Sequence, residues 1–272
     1  MQTKQVSKCW TLDKSGRKIH TGFFWVYNNS ILKLVFFDYH RGRNKEAPQG
    51  ILAEFKGHLQ TDGYDSYDQF DKREDIIHLH CMAHARRYFI DAQSTDPARS
   101  AYALEEIQKL YAIERTCKEK DLSHDERMII RQEQSVPILD ALGKWMTREY
   151  TERKVLPKSP VGMAMAYSIK RWDKLTRYTS NGMLSIDNNP VENSLRPVAL
   201  GRKNYMFAGS HEAAQRTAII YSLVGSCKMQ GVNPYLWLKD VLTRISMHAI
   251  NKIKELLPHH WKQLQVQTLE EK

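Results

Sequence analysis

Two short apolar runs held apart by turn residues constrain this chain more than any other feature. Gly22-Phe-Phe-Trp-Val-Tyr27 and Ile31-Leu-Lys-Leu-Val-Phe-Phe37 are aromatic and β-branched, and Asn28-Asn29-Ser30 supplies turn chemistry between them, the pattern of an antiparallel hairpin. A lone hairpin is marginal in water, so other elements must cover it. Residues 46–55 are expected to form a helix with Ile51, Leu52 and Phe55 as its apolar stripe, stopping at Gly57. His58-Leu-Gln-Thr61 reads as a short strand that delivers Asp62 to a Gly-Tyr turn. Residues 76–81 read as another strand and Met82–Ala92 as a helix. A hairpin followed by alternating strands and helices predicts an α/β fold with a mixed sheet.

The periodicity then changes. Residues 97–178 show no strand pattern, only Ala-, Leu-, Glu-, Lys- and Arg-rich segments with apolar residues at helical spacing, so an all-helical block of about three helices is expected. Breaks are placed near Asp121-Leu-Ser, at Leu156-Pro-Lys-Ser-Pro160 and near Ser180-Asn-Gly182. The last 90 residues read as helical again, interrupted at Leu200-Gly-Arg-Lys-Asn-Tyr205 and at Gly231-Val-Asn-Pro234, with a polar, frayed tail after Pro258. The expected partition is 1–95, 96–180, 181–220 and 221–272, the second part being a helical insertion and the last a C-terminal helical element.

Charge narrows the partners. Lys and Arg outnumber Asp and Glu by 41 to 31, a formal net charge of +10, which favours a polyanion: nucleic acid first, an anionic membrane second. The surplus is spread over both ends, ten basic against four acidic residues in 1–60 and eight against three in 201–257. No apolar run approaches the roughly 18 to 20 residues needed to span a bilayer, and no signal-like stretch follows Met1, so the chain is expected to be cytoplasmic with no membrane partner. Cys9, Cys81, Cys117 and Cys227 are far apart and read as free thiols.

Three clusters could carry chemistry. In Leu59-Gln-Thr-Asp62-Gly-Tyr-Asp-Ser-Tyr67 an acidic residue ends a buried strand, where a carboxylate can bind a hard cation such as Mg²⁺; taken alone, Asp62-Gly63 reads as a turn. In Ser185-Ile-Asp-Asn-Asn-Pro-Val-Glu192-Asn-Ser-Leu-Arg196, Asn189 as N-cap puts Pro190 at the first helical position and Glu192 at the third, a capping-box geometry. That reading leaves Asp187, Asn188, Arg196, Arg202 and Lys203 unexplained, and a carboxylate in a first turn with basic residues beyond it also suits a site where metal and phosphate meet. In Leu79-His-Cys-Met-Ala-His-Ala-Arg-Arg87, His80, Cys81 and His84 suggest metal ligands, but a closed zinc site needs four and no fourth is evident. A structural or DNA-facing role is favoured there, with Arg86 and Arg87 on phosphate.

Four ordered strings, LQTDGYDSY, HCMAHARRYF, SIDNNPVENSLRPVALGRKNYMFAGS and YSLVGSCKMQGVNPYLWLKDVLTRI, resemble the transposases of the insertion sequence 66 family. The resemblance spans residues 22–257. It implies an RNase H-like fold whose sheet is interrupted by a helical insertion, and a DDE triad holding Mg²⁺ or Mn²⁺. Asp62 matches the family's second acidic residue and Glu192 its third. The implied activity is metal-dependent cleavage and strand transfer of DNA by in-line attack on a phosphodiester. Arg196, Arg202 and Lys203 would hold flanking phosphates. The implied partners are DNA, as element ends and target, with a homo-oligomer or accessory proteins of the element.

One part of the family pattern is missing. The first Asp of the triad lies in an Asp-Glu-Thr-like motif on the strand before the Gly-Phe-Phe-Trp-Val-Tyr strand, and residues 1–13 hold no such motif. Asp13, in Asp-Lys-Ser-Gly, reads as the turn between the first two strands. The chain is therefore expected to be a transposase-type polypeptide lacking the N-terminal region, and loss of one ligand typically disables a two-metal site. The alternative from another class is a non-catalytic DNA-binding or assembly module that modulates a full-length transposase. A metal-dependent nuclease that cuts without joining is a third.

Overall fold

The computed structural model describes the backbone of Gln2–Leu12 and residues 19–261, with side chains from residue 21 onward. The expected turn at Asp13, the thiol of Cys9 and the tail beyond Trp261 lie outside the described residues. The chain is mixed α/β and divides into two compact units, Met1–Phe55 with Asn189–Lys272, and Lys56–Asn188.

In the first unit, β1 (Gln2–Leu12), β2 (Ile19–Asn29) and β3 (Leu34–His40) form an antiparallel meander with Phe24 opposite Tyr39 and Val26 opposite Phe37. Ile31 and Leu32, expected in the second strand of the hairpin, lie in its turn and are exposed, because Asn29 Oδ1 takes both their amides and holds them out of the ladder. Helix α1 is shorter than expected, Glu46–Ile51, and buries Ala47 and Pro48 while Ile51 is exposed; of the proposed stripe only Leu52 is fully buried.

The outer edge of β3 is closed by a helix. In α9 (His211–Gln230), Ser226 Oγ accepts the Val35 amide at 3.2 Å and Ser222 Oγ accepts the Phe37 amide at 2.8 Å. Four helical residues climb ~6.0 Å and two strand residues ~6.8 Å, so hydroxyls at i and i+4 match alternate strand amides. Gly225 makes the approach possible, since a Cβ there would lie 2.6 Å from Val35 Cγ1. Between strands and helices Phe24, Val26, Val35, Phe37, Val191, Leu195, Val198, Ala214 and Ala218 form one core.

Helix α8 (Asn189–Tyr205) runs through the expected break at residues 200–205. Gly201 is retained inside it because a Cβ would meet Tyr221 Oη at 2.4 Å and the Tyr205 ring at 2.8 Å, so packing outweighs glycine's low helix propensity. The break at Gly231 is present: Gly231 closes α9 with φ +69°, Asn233 caps α10 (Pro234–Arg244) and Pro234 opens it. Phe207–Gly209 forms β6, parallel to β1, just past the expected break and where helix was expected to resume; three residues are too few to show a strand period. The tail is ordered at least to Trp261, whose indole donates to Asp240 at 2.6 Å.

In the second unit, β4 (Gly57–Thr61) and β5 (Ile76–His80) pair in parallel and α2 (Met82–Ala92) follows directly. Residues 97–180 contain no strand. They hold α3 (Pro97–Glu119), α4 (His124–Ile130), a π-helical turn (Arg131–Ser135), α5 (Val136–Thr151), α6 (Pro160–Lys170) and α7 (Trp172–Thr176), more helices than the three expected. All three expected breaks occur, the first built by a Ser123/Glu126 capping box and the second by Ser159 capping α6. Leu79, Met82, Ala85 and Phe89 pack with Ile107, Leu110, Leu142, Met146 and Met165, so the strand end and the helices share one core.

Arg131 lies in that core with no exposed surface. Its Nε and Nη2 donate to Glu114 at 2.7 Å each, Nη1 to the Tyr178 and Asn181 carbonyls at 2.8 Å, and Nη2 to the Leu184 carbonyl at 2.8 Å. All five donors are used, which is what makes a buried guanidinium tolerable.

Arg131→Met should leave Glu114 and three carbonyls without donors and cost about 3 to 5 kcal/mol in urea unfolding. Arg131→Lys should recover little, because three donors on a point charge cannot replace the fork. Ser222→Ala with Ser226→Ala should cost about 1 to 3 kcal/mol per orphaned strand amide; a double variant as stable as the parent would show that the β3 edge is satisfied in another way.

Candidate functional site

Parallel pairing places Thr61 opposite His80, so Asp62 and Cys81 leave their strands at the same edge. Asp62 is half-buried, and its Oδ1 accepts the Tyr64 amide at 3.1 Å, an Asx turn that orients the carboxylate. Gly63 continues the turn with φ +81°, a conformation that L side chains rarely adopt. The turn expected from Asp-Gly is thus present, and it presents a carboxylate instead of merely reversing the chain.

Behind Asp62, Thr61 Oγ1 lies 2.8 Å from His78 Nε2, and His78 Nδ1 lies 2.7 Å from Asp71 Oδ1, which also receives Lys174 through its other oxygen. The fully buried His78 ring is held in place by this relay. His78 has a pKa below the usual histidine value because burial outweighs the pull of Asp71. Partial burial pushes the Asp71 carboxyl up, but hydrogen bonds from Lys174 and His78 win and hold it below the carboxylate range.

The return from the helices crosses this edge. Gln60 Nε2 donates to the Ser185 carbonyl at 2.8 Å, the Met82 amide to the Ile186 carbonyl at 3.1 Å and the Asn188 amide to Cys81 Sγ at 3.4 Å. Buried Asp187 is thereby fixed near the start of α2, where its charge, after burial itself, raises the Tyr111 hydroxyl pKa. Cys81 is a buried thiol whose pKa is pushed up to about 12 by burial. Cys117 and Cys227 are free and buried as well. Arg86 is half-buried and acts on Tyr111, whereas Arg87 is exposed on α2.

Glu192 belongs to the other unit, in the first turn of α8 and half-buried. The helix starts at Asn189, one residue before the expected position, so Pro190 is second and Glu192 fourth. The shift is small because proline fits anywhere in a first turn that lacks amide acceptors. Arg196, Arg202 and Lys203 project from α8 as exposed cations, Arg196 and Lys203 two turns apart on one face.

Asp62, Asp187 and Glu192 each offer the carboxylate oxygen that a hard cation such as Mg²⁺ or Mn²⁺ takes. Among the described residues no three His, Cys, Asp or Glu side chains converge as a metal cluster. His80, Tyr167 and Arg171 border the Asp62 turn; His80 stood out in the sequence only as a candidate metal ligand, and Tyr167 and Arg171 were not singled out at all. Tyr167 and Arg171 sit inside the helical block, where their i, i+4 spacing reads only as a stacked pair on a helix, and nothing in the chain order ties them to residue 63.

Residues 8–216 match the profile described as "Transposase IS66 family", and residues 222–259 match "IS66 C-terminal element". Among curated relatives, "Uncharacterized protein y4hP" of Sinorhizobium fredii is 36% identical over 245 residues, covering 84% of this chain and 44% of that protein. "Uncharacterized protein y4jD" and "Uncharacterized protein y4qI" of the same organism are each 32% identical, covering 85% and 93% of this chain and 46% and 49% of theirs. The chain spans about half the length of the curated relatives it matches. Among the described residues no helix is long and apolar enough to cross a membrane.

His80 carries a prediction about pH. Its pKa is lowered to about 2, first by burial and then by the charges of His78, Lys174 and Arg171. The unfolded chain binds a proton near pH 6.5 that the folded chain refuses, so stability is complete above that value and drains as pH falls toward 2. His78 and Asp71 act in the same direction. Unfolding free energies from urea titrations should drop between pH 7 and pH 5, by up to about 1.4 kcal/mol per pH unit for each buried histidine. A flat profile would mean that these rings are not held neutral.

Proposed function

Because the chain belongs to the IS66 transposase family, we propose that it is a DNA transposase polypeptide of the DDE class, with Asp62 and Glu192 as carboxylates of its metal-dependent site. The observation that carries this reading is the oriented Asp62 carboxylate at the C-terminal edge of a parallel strand pair, where α/β sheets present ligand groups. The reading takes the fold as RNase H-like, with 1–95 and 181–220 as the two parts of the catalytic region, 96–180 as a helical insertion and 221–272 as a C-terminal element. The bound cation would stabilise charge on the phosphodiester and on the attacking and leaving oxygens. Asp62 is held for that role by the Tyr64 amide, and Glu192 by its place in the first turn of α8. Arg86, Arg87, Arg196, Arg202 and Lys203 hold DNA phosphates, of element ends and target, and further copies of the chain or accessory proteins of the element complete the assembly.

A second reading is favoured by one observation, that residues 1–13 hold no Asp-Glu-Thr-like motif. It makes the chain a non-catalytic DNA-binding or assembly module that works on a full-length transposase.

Mn²⁺ binding followed by electron paramagnetic resonance separates the two. On the first reading the chain binds Mn²⁺, and Asp62→Asn or Glu192→Gln weakens binding roughly tenfold or more; no Mn²⁺ binding in the presence of duplex DNA would favour the module. Both readings require DNA binding that falls steeply with salt. Arg202→Ala with Lys203→Ala should weaken it on all sequences alike, and Glu192→Gln should leave it intact, in a gel-shift titration. Affinity indifferent to salt would remove DNA from the function altogether.

A further inference from the structure

Beside Asp62 the second unit carries donors that its own fold does not use. His80 is 3% exposed, and neither ring nitrogen has a hydrogen-bond partner among the described residues. Arg171 Nε is buried and lacks one too. Burying a polar group without a partner is costly, so two such side chains at one place point to a ligand.

These groups converge. A Cβ built on Gly63 would lie 2.8 Å from Tyr167 Oη, 3.4 Å from Arg171 Nε and 3.7 Å from His80 Nδ1, so the bare face of Gly63 is ringed by a hydroxyl, a guanidinium and an imidazole. Each is braced from behind. The Arg171 guanidinium lies 4.2 Å from the Tyr167 ring centroid, Tyr167 stacks on Tyr88 at 4.5 Å, and His80 packs edge-on against His78 at 4.8 Å. Asp65 lies 3.8 Å from Arg171 Nη2 and is largely exposed, too loose a pair to saturate the guanidinium. Two of the three groups are obligate or ready donors and the third, a neutral imidazole, offers one N–H, so the ring suits an anionic oxygen better than a cation.

We infer that Arg171, His80 and Tyr167 hold a non-bridging phosphodiester oxygen of DNA against Gly63, one residue from Asp62. This rests on the DNA reading above and deepens it, since it fixes which backbone group sits beside the carboxylate. Gly63 is required twice over, for its positive φ and because a Cβ there would lie 2.8 Å from Tyr167 Oη and displace that hydroxyl. The three are positioning residues for the strand.

The test scans a short fluorescent duplex in which one phosphate at a time is replaced by an uncharged methylphosphonate, with binding to the full chain read by anisotropy. Wild type should lose affinity at several positions. Arg171→Gln should bind the unmodified duplex roughly tenfold more weakly, with the slope of log K against log salt smaller by about one. At one position it should be indifferent to the replacement. Tyr167→Phe, which removes only a hydroxyl, should lose about threefold and lose its sensitivity at that same position. Arg171→Lys should restore the salt slope without restoring the position effect. His80→Ala is included if its thermal melt matches wild type, and Tyr167→Phe and Arg171→Gln carry the test if it does not. Variants that respond at every position as wild type does would overturn the pocket alone. Displacement by inorganic phosphate without any such position effect would overturn it equally, as a free-phosphate site. A wild-type chain that binds no duplex at low salt would overturn the pocket together with the DNA reading.

Discussion

A guanidinium cut off from water must have every N–H matched, and the second unit is arranged around one that does. Arg131 ties Glu114 of α3 to the carbonyls of Tyr178, Asn181 and Leu184, with its Cζ 5.0 Å from the Tyr178 ring. The cost of burying that charge is offset only in this geometry, since a displaced carbonyl would leave a donor unmet in a low-dielectric core. The π-helical turn Arg131–Ser135 begins at that buried side chain. The consequence is a fixed path for residues 178–184, which would otherwise be a loop free to choose its course.

That path determines what reaches the end of the strand pair. From Leu184 the chain has four residues in which to arrive at Asn188, and in that span Ser185, Ile186 and Asn188 are each bonded to Gln60, Met82 or Cys81. The buried carboxylate of Asp187 is carried along. On the neighbouring face Thr61, His78, Asp71 and Lys174 form a relay behind the Asp62 turn, while His80, next in the alternation, faces Gly63 with its nitrogens unmatched. Two histidines two residues apart on one strand therefore differ in kind: His78 is satisfied by the fold, and His80 is not.

The first unit solves a different problem, the open edge of an aromatic hairpin. An edge strand rich in Val and Phe invites pairing with another chain. Here α9 turns two serines to the strand amides and Gln230 reaches the Leu32 carbonyl at 2.7 Å, so the edge is satisfied by a helix. The same helix ends on Gly231, and the short connection to α10 brings Val232, Trp237 and Val241 against Cys227 and Leu256 as a small second core.

The sequence by itself determined every element whose identity rests on neighbours in the chain. The hairpin, the strand ending at Thr61, the helix from Met82, the three breaks among the helices and the Gly231–Pro234 corner were all legible, because turn chemistry, capping and hydrophobic period act over a few residues. The Asp62-Gly63 turn was legible for the same reason, and Asp62 and Glu192 could be singled out because they stand in distinctive local strings. The tertiary structure alone decided the rest. That α8 passes through Gly201 depends on Tyr221, that Ser222 and Ser226 belong to a strand edge depends on Val35 and Phe37, and that Arg171 and Tyr167 flank residue 63 depends on a segment about a hundred residues further along. A polar side chain's meaning lies in which donor or acceptor it meets once water is gone, and that partner is chosen by packing in space, which no local pattern of residues encodes.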